Sequence, residues 1–451
     1  MSSERPTPRR WTVVPDAVRT QLWPLPAAAV VLAVIAGAGL PRLDSSLDDG
    51  WLTEHSDILF GGGPDAARSV LAAIAGSLIT VTALTFSLTV VTLQLASSQF
   101  SPRLLRTFTT DRVVQGTLAL FLATFVYSLT VLRTVRSQDA GQAEFVPQLS
   151  VTIAYVLAVA SVLALVGFLA HLVREIRVDT MLRNVHHEAS LTLAAALPTG
   201  DDDSQQRVPQ VPPTADRVMA SASGFLTAVD DESLLDAAVR AGACVMIDRA
   251  PGSSLVEGTP VARVWANGGS ALSGDRLAGL RDAVAAALGT GFERTSAQDI
   301  GFGLRQLTDV AVKSLSPGIN DPTTAIHALG HSSALLCELA ARDPGPRVLD
   351  DDDGIVRVVL AGPDLADLLD LAVSQPRRYG AAEPQVLARL FTLLAELAWS
   401  TDRPEHRRDI ARQLTRLRGT AAGQDFDEAE RVALARLDAL AQDALDGRWA
   451  P

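Results

Sequence analysis

Four stretches within the first 173 residues are apolar and carry no charge, and charged residues become frequent immediately after them. A helix crossing a hydrocarbon core of roughly 30 Å needs about 20 apolar residues. The pattern therefore predicts spans at about 24–40, 70–97, 113–132 and 148–172. The second is unusually long, since no charge occurs between Arg68 and Arg103. As continuous helix it outruns the bilayer and must tilt or project before Pro102. Arginines ahead of a short apolar run also suit a secretory signal. Three further spans favour an uncleaved first helix instead.

Beyond the spans the pattern changes. Residues 174–215 read as a juxtamembrane segment and linker, ending in the polar, Pro-rich PTGDDDSQQRVPQVPPTAD. Residues 216–451 then read as a mixed α+β, mainly helical domain. GFLTAVD and ACVMIDRA suggest short strands around a helix at 231–240, and VEGTPVARVW a further strand pair. Helical periodicity covers 275–288, 297–315, 323–341, 385–399, 405–417 and 427–441, with a lone strand expected at 354–360. Gly252 and Gly258 bracket a turn similar in shape to the hammerhead turn of biotinyl and lipoyl carrier domains. No lysine lies between Phe225 and Trp265, which excludes a swinging-arm carrier. A small barrel and an ordinary β-hairpin remain the two readings.

Positive charge in the short flanks orients the spans. Ten arginines (5, 9, 10, 19, 103, 106, 112, 174, 177 and 183) lie on one side, against Arg42, Arg68, Arg133 and Arg136 on the other. The first loop on the arginine-poor side also holds Asp44, Asp48, Asp49, Glu54 and Asp57. Both termini, with the 1–22 segment and the C-terminal domain, are expected to be cytoplasmic.

A formal net charge of −12 over 451 residues argues against a nucleic-acid partner, because phosphate recognition needs a basic surface. Two cysteines, Cys244 and Cys337, support neither a disulfide scaffold nor a four-ligand zinc site. Both stand in apolar stretches and read as buried thiols. No Walker loop, Gly-x-Ser-x-Gly elbow or kinase set occurs. The runs 201–203 and 350–353 are acidic and read as solvated loops.

Candidate chemistry concentrates in three places. Span two carries Ser77, Thr80, Thr82, Thr85, Ser87, Thr89 and Thr92, followed by Gln94. At 100° per residue Thr80, Ser87 and Gln94 form one stripe and Thr82, Thr85, Thr89 and Thr92 another. Helix packing and a hydrated path both suit such stripes. The turn SPGINDP joins two strong helices; Gly318 allows a positive φ, and Asn320 or Asp321 is placed to cap the following helix. Ser316, Gly318, Asn320 and Asp321, with Arg294 and Gln298 from the preceding helix, form a candidate turn or ligand site. His327 and His331 stand at i and i+4, but no glutamate adjoins His327, so helix-surface histidines are expected rather than a metal site. His186 and His187, after span four, read as juxtamembrane polar residues rather than ligands.

Three phrases, FSLTVVTLQLASSQFSPRLLRTF, RTSAQDIGFGLRQLTDVA and SLSPGINDPTTA, resemble a bacterial family of predicted membrane proteins catalogued as domain of unknown function 2254. Their order and spacing extend the resemblance over most of the chain. It implies a bacterial plasma-membrane protein and no established activity. Lys313 and Ser314 depart from the alanine and arginine expected before SPGIND.

With no acid, base or metal ligand inside the spans, no enzyme, metal or cofactor is expected. The expected partners are the lipid bilayer and further copies of the chain. The leading expectation is a homo-oligomeric channel or transport-like protein with a cytoplasmic gating or assembly domain. The alternative is a membrane-anchored sensor or scaffold.

Overall fold

The computed structural model describes residues 23–44, 59–99, 111–137, 145–175, 177–197, 208–342 and 345–449. It divides into two compact units, Met1–Arg177 and Val178–Pro451.

Among the described residues, the first unit holds four helices long and apolar enough to cross a membrane: α1 (Pro24–Asp44), α2 (Pro64–Gln99), α3 (Arg112–Leu132) and α4 (Gln148–Glu175). Helix α3 is the hub, packing on the other three and the most buried of the set. A Cβ at Gly37 of α1 would lie 2.9 Å from the Thr130 Cβ of α3, so glycine permits the close crossing. The Thr124 and Ser161 hydroxyls meet at 3.3 Å between α3 and α4.

Each end of this bundle is tied by a carboxylate. Asp44, at the end of α1, accepts hydrogen bonds from the Leu149 and Ser150 amides (3.1 and 3.0 Å) and from the Ser150 hydroxyl (2.7 Å). It thus caps α4 from another helix, satisfying N–H groups that a helix start leaves free. Expected in the first loop on the arginine-poor side, Asp44 instead ends α1 and is buried. At the opposite end Asp111 caps α3 through the Val113 amide (2.8 Å) and meets His171 of α4 at 2.5 Å. These contacts set α4 antiparallel to both α1 and α3.

The second unit opens with α5 (Val178–Ala196), which begins within the stretch expected to be juxtamembrane and linker. Its apolar residues Met181, Leu182, Val185, Ala189 and Leu193 are buried. An α/β part follows: β1 (Asp216–Met219), β2 (Gly224–Val229), α6 (Asp231–Ala241), β3 (Ala243–Ile247), β4 (Ser254–Leu255), β5 (Pro260–Ala266), α7 (Gly274–Ala287) and β6 (Leu288–Gly291). The helical part contains α8 (Ile300–Ser314), α9 (Pro322–Ala341), β7 (Arg347–Asp350), β8 (Val356–Leu360), α10 (Leu365–Tyr379), α11 (Pro384–Trp399), α12 (Pro404–Ala422) and α13 (Glu428–Leu445).

Two sheets form, ordered β1-β5-β3-β8-β7 and β4-β2-β6. The 354–360 strand is therefore not alone: β8 pairs parallel with β3 and antiparallel with β7. Nor is the 252–266 region a hairpin or a closed barrel. Strand β4 joins the small sheet through β2 while β5 joins the large one through β1 and β3. The chain crosses between layers there because both sheets bury their apolar faces in one core. Leu226 and Leu255 from one, Val245 and Val264 from the other, and Leu234 and Val284 from α6 and α7 meet in it. The outer face of the large sheet packs Cys244, Met246, Trp265 and Val359 against Val208, Val211 and Ala215, the end of the Pro-rich stretch. Burial there pushes the Cys244 thiol up to about 12, so it is an inert core residue. The acidic run 350–353 is likewise more than a solvated loop. Asp351 accepts from the Asp353 and Ile355 amides and from Arg357, closing the β7–β8 turn.

Helix α11 is the axis of the helical part: Val386, Leu387, Leu390, Leu393, Leu394 and Leu397 are fully enclosed. Helices α9, α10, α12 and α13 pack on it, and α5 lies on α8 and α9.

Candidate functional site

The hydroxyl stripes of α2 separate cleanly. Thr82, Thr85, Thr89 and Thr92 are buried, whereas Thr80, Ser87 and Gln94 are exposed. At 100° per residue the second stripe lies opposite the first, pointing away from the bundle. Four of these hydroxyls bond carbonyls of their own helix: Thr80 to Gly76 (3.2 Å), Thr82 to Leu78 (2.7 Å), Thr89 to Thr85 (2.8 Å) and Thr92 to Leu88 (2.9 Å). That back-bonding satisfies them without a partner helix. Leu84 and Val91 are also exposed and share the outward side with Thr80, Ser87 and Gln94.

The SPGINDP turn differs from expectation in one residue. The left-handed backbone falls on Asn320 (φ 51°), not on Gly318, where an added Cβ would meet open space. Asparagine tolerates that region because its short amide bonds locally. Asp321 caps α9, accepting from the Thr324 amide (3.1 Å) and hydroxyl (2.6 Å). Those bonds hold its carboxyl below the usual carboxylate range. Ser316 closes the turn by accepting at its carbonyl from the Ile319 and Asn320 amides. The strain argument thus moves: Gly318→Ala should be neutral within about 0.5 kcal/mol, and Asn320→Val should lose about 1–2 kcal/mol. Urea midpoints of the purified variants check this, and equal midpoints would refute it.

Arg294 and Gln298 do not join that turn. Helix α8 starts only at Ile300, with Asp299 as its N-cap residue, so both precede the helix and share no helical face. They sit at its start and the turn at its end, roughly 22 Å apart along a 15-residue helix. The periodicity ran on across 294–299 because those residues lie against other elements. Gln298 pairs with Val229 of β2 as a strand would, its Oε1 accepting from the amide (2.8 Å) and its Nε2 donating to the carbonyl (3.1 Å). Ser296 is held by Thr192 and Glu188 of α5. Arg294 pairs with Asp299 at 2.6 Å, and Asp299 is only 4% exposed. Burial outweighs the pull of Arg294 and raises the Asp299 carboxyl above its ordinary range. A Cβ at Gly252 (φ 89°) would fall 2.3 Å from an Asp299 oxygen, so the 250–253 turn closes over the carboxylate only as glycine.

A second constellation links α5 and α9, which run side by side in the same direction. Asp179 meets His327 (3.3 Å), the rings of His186 and His331 lie 5.1 Å apart, Ser190 donates to Glu338 (2.9 Å) and Arg342 donates to the Leu197 carbonyl (3.2 Å). The pairing of His186 with His331 was invisible in sequence, since only His327 and His331 share a local spacing. Among the described residues no group of three histidines, cysteines or carboxylates is disposed to hold a metal ion.

Comparison with known proteins gives a family and no activity. An uncharacterised protein of Mycobacterium bovis (strain ATCC BAA-935 / AF2122/97) is 35% identical over 444 residues, 97% of this chain and 83% of the relative. An uncharacterised protein of Mycobacterium tuberculosis (strain ATCC 25618 / H37Rv) matches to the same extent. No solved structure matches. The family described as "Predicted membrane protein (DUF2254)" matches residues 19–396, and the chain belongs to it.

Proposed function

We propose that this is a homo-oligomeric channel or transport-like protein of the bacterial plasma membrane, with both termini cytoplasmic and α2 lining a path shared between copies. The outward stripe of Thr80, Ser87 and Gln94 carries the reading. Polar groups on an apolar span that turn away from their own bundle are poorly placed against lipid. Facing the same stripe on another copy, they gain water or polar neighbours. The length of α2, 36 residues or roughly 54 Å, supports a helix that continues the path beyond the hydrocarbon. The arginine bias supports the orientation.

Single cysteines in a background lacking Cys244 and Cys337 test it. In intact membranes, a small charged thiol reagent should label positions 80, 87 and 94. Positions 82, 85, 89 and 92 should be protected, as should the outward apolar position 86. Applied from outside, the reagent should also reach a cysteine at Gly62 and not one at Arg183. Uniform protection of the stripe would favour the second reading, a membrane-anchored sensor or scaffold. That reading draws on the back-bonding of Thr80, which satisfies its hydroxyl without a pore.

A further inference from the structure

Helix α5 is the element through which the chain passes from the last span into the second unit, following α4 after two residues. Its contact with α9 is unusual for an interior surface because imidazoles meet in it. His186 and His331 lie ring to ring, both half-buried, and the His186 Nδ1 is enclosed with no hydrogen-bond partner among the described residues. His327 stands one turn before His331 on α9, and Arg183 stands nearly one turn before His186 on α5. We propose that the α5–α9 seam is a proton-operated latch: closed while the His331 imidazole against His186 is neutral, and released when His331 acquires a proton.

The charge inventory of the seam sets the sign. Against His331, α5 places His186, Arg183 and Asp179, and α9 itself adds His327. Three of these four are a guanidinium or imidazoles, and the single acid, Asp179, is more than half exposed and turned to His327. Glu338, seven residues beyond His331, is already engaged by Ser190 and Arg342. On another flank of α9, Glu396 and Arg389 of α11 bond each other, and Glu396 accepts from Ser333. The charged residues of α8 are Arg305, Asp309 and Lys313, and those of α10 are Asp367, Asp370, Arg377 and Arg378. A proton arriving at the seam therefore meets mainly positive neighbours in a partly desolvated place.

Burial first, then His186, His327 and Arg183, hold the His331 imidazole below its ordinary range, with Asp179 pulling the other way. Undocked α5 would return His331 to water and to its ordinary affinity for protons. The released state thus binds protons better than the docked one. Docking is complete above the ordinary imidazole range near 6.5 and weakens as pH falls below it.

Hydrogen exchange on the purified protein in detergent reads this directly, with exchange times corrected for the intrinsic pH dependence. Moving from pH 7.5 to 5.5, peptides within 178–196 should lose protection about tenfold, while peptides within 384–399 should keep theirs. His331→Gln should make the 178–196 response flat, and the double variant H186Q/H331Q should do the same. Because these substitutions touch packed rings, Arg183→Gln provides a milder check: removing an exposed cation beside the seam should shrink the acid response while leaving protection at pH 7.5 unchanged. Constant protection of 178–196 in the wild type would overturn the latch. So would a wild-type response in His331→Gln, or a loss of protection spread over the whole second unit.

Discussion

Gly303→Ala should lower the thermal midpoint of the second unit by about 5 °C or more, although alanine is the better helix former. Propensity alone would favour alanine by about 1 kcal/mol. The new methyl, however, would stand 2.4 Å from the Ala189 Cβ and 3.5 Å from its Cα, where α5 lies on α8. No rotamer relieves a clash between two Cβ atoms, so one helix must shift. Overpacking of this kind costs about 1–3 kcal/mol and sometimes more, and a shift here also disturbs the Thr192–Ser296 and Ser190–Glu338 bonds. The steric effect therefore wins over propensity. Two controls isolate it. Gly330→Ala in α9, where an added Cβ meets open space, should be neutral or stabilising. Ala189→Gly placed with Gly303→Ala should recover most of the loss, since it removes the other half of the clash. A Gly303→Ala midpoint at or above wild type, read by calorimetry, would show that α5 is not seated as described.

That contact also shows where sequence reading succeeds and where it stops. The four spans were legible because a bilayer demands about 20 apolar residues in a row, a requirement any window reveals. The helices at 322–341 and 384–399 were legible because strong periodicity is local information. Helix α10 was missed although Leu365, Leu368, Leu369, Ala372 and Val373 repeat at helical spacing. It carries Pro376 in its last turn and continues through it to Tyr379. Helix α5 was passed over because Asp179, Arg183, His186, His187 and Glu188 masked its apolar face. The failures at β8 and at β4–β5 have a different cause. Strand β8 pairs with β3, more than a hundred residues earlier, and β4 and β5 pair with strands of different sheets rather than with each other; no local pattern names such partners. Asp44 was placed in the first loop for the same reason: its role is to cap a helix that begins at Gln148. Of the candidate site residues, the turn was legible in outline, with Asn320 or Asp321 as the cap, while the choice of Asp321 and the left-handed backbone at Asn320 rather than Gly318 were not.

The Arg294–Asp299 pair should show strong coupling: either half alone is costly to remove, and the two together are not. Asp299→Asn keeps the shape that fits beneath Gly252 but leaves the Arg294 guanidinium, itself only a quarter exposed, without its counter-charge. Stranding a buried partner costs about 3–5 kcal/mol when both groups are fully enclosed. The partial exposure of Arg294 lowers this to about 2 kcal/mol. Arg294→Met strands the more deeply buried group and should cost about as much at neutral pH. The double variant R294M/D299N carries no charge into the site, and it should lie within about 1 kcal/mol of wild type. The reason is visible in the raised Asp299 carboxyl: desolvation already exceeds the attraction of Arg294, so the pair positions the start of α8 more than it stabilises the fold. Acid distinguishes the two single variants. Without Arg294 the carboxyl rises further, and a protonated Asp299 needs no cation, so the Arg294→Met deficit should shrink between pH 7.5 and 5.5. The Asp299→Asn variant has lost the titrating carboxyl, so its deficit should not shrink with acid. Urea unfolding of wild type, both singles and the double at the two pH values supplies the full cycle. Additive losses, with a double variant as unstable as the sum of its parts, would mean that Arg294 and Asp299 serve the fold independently.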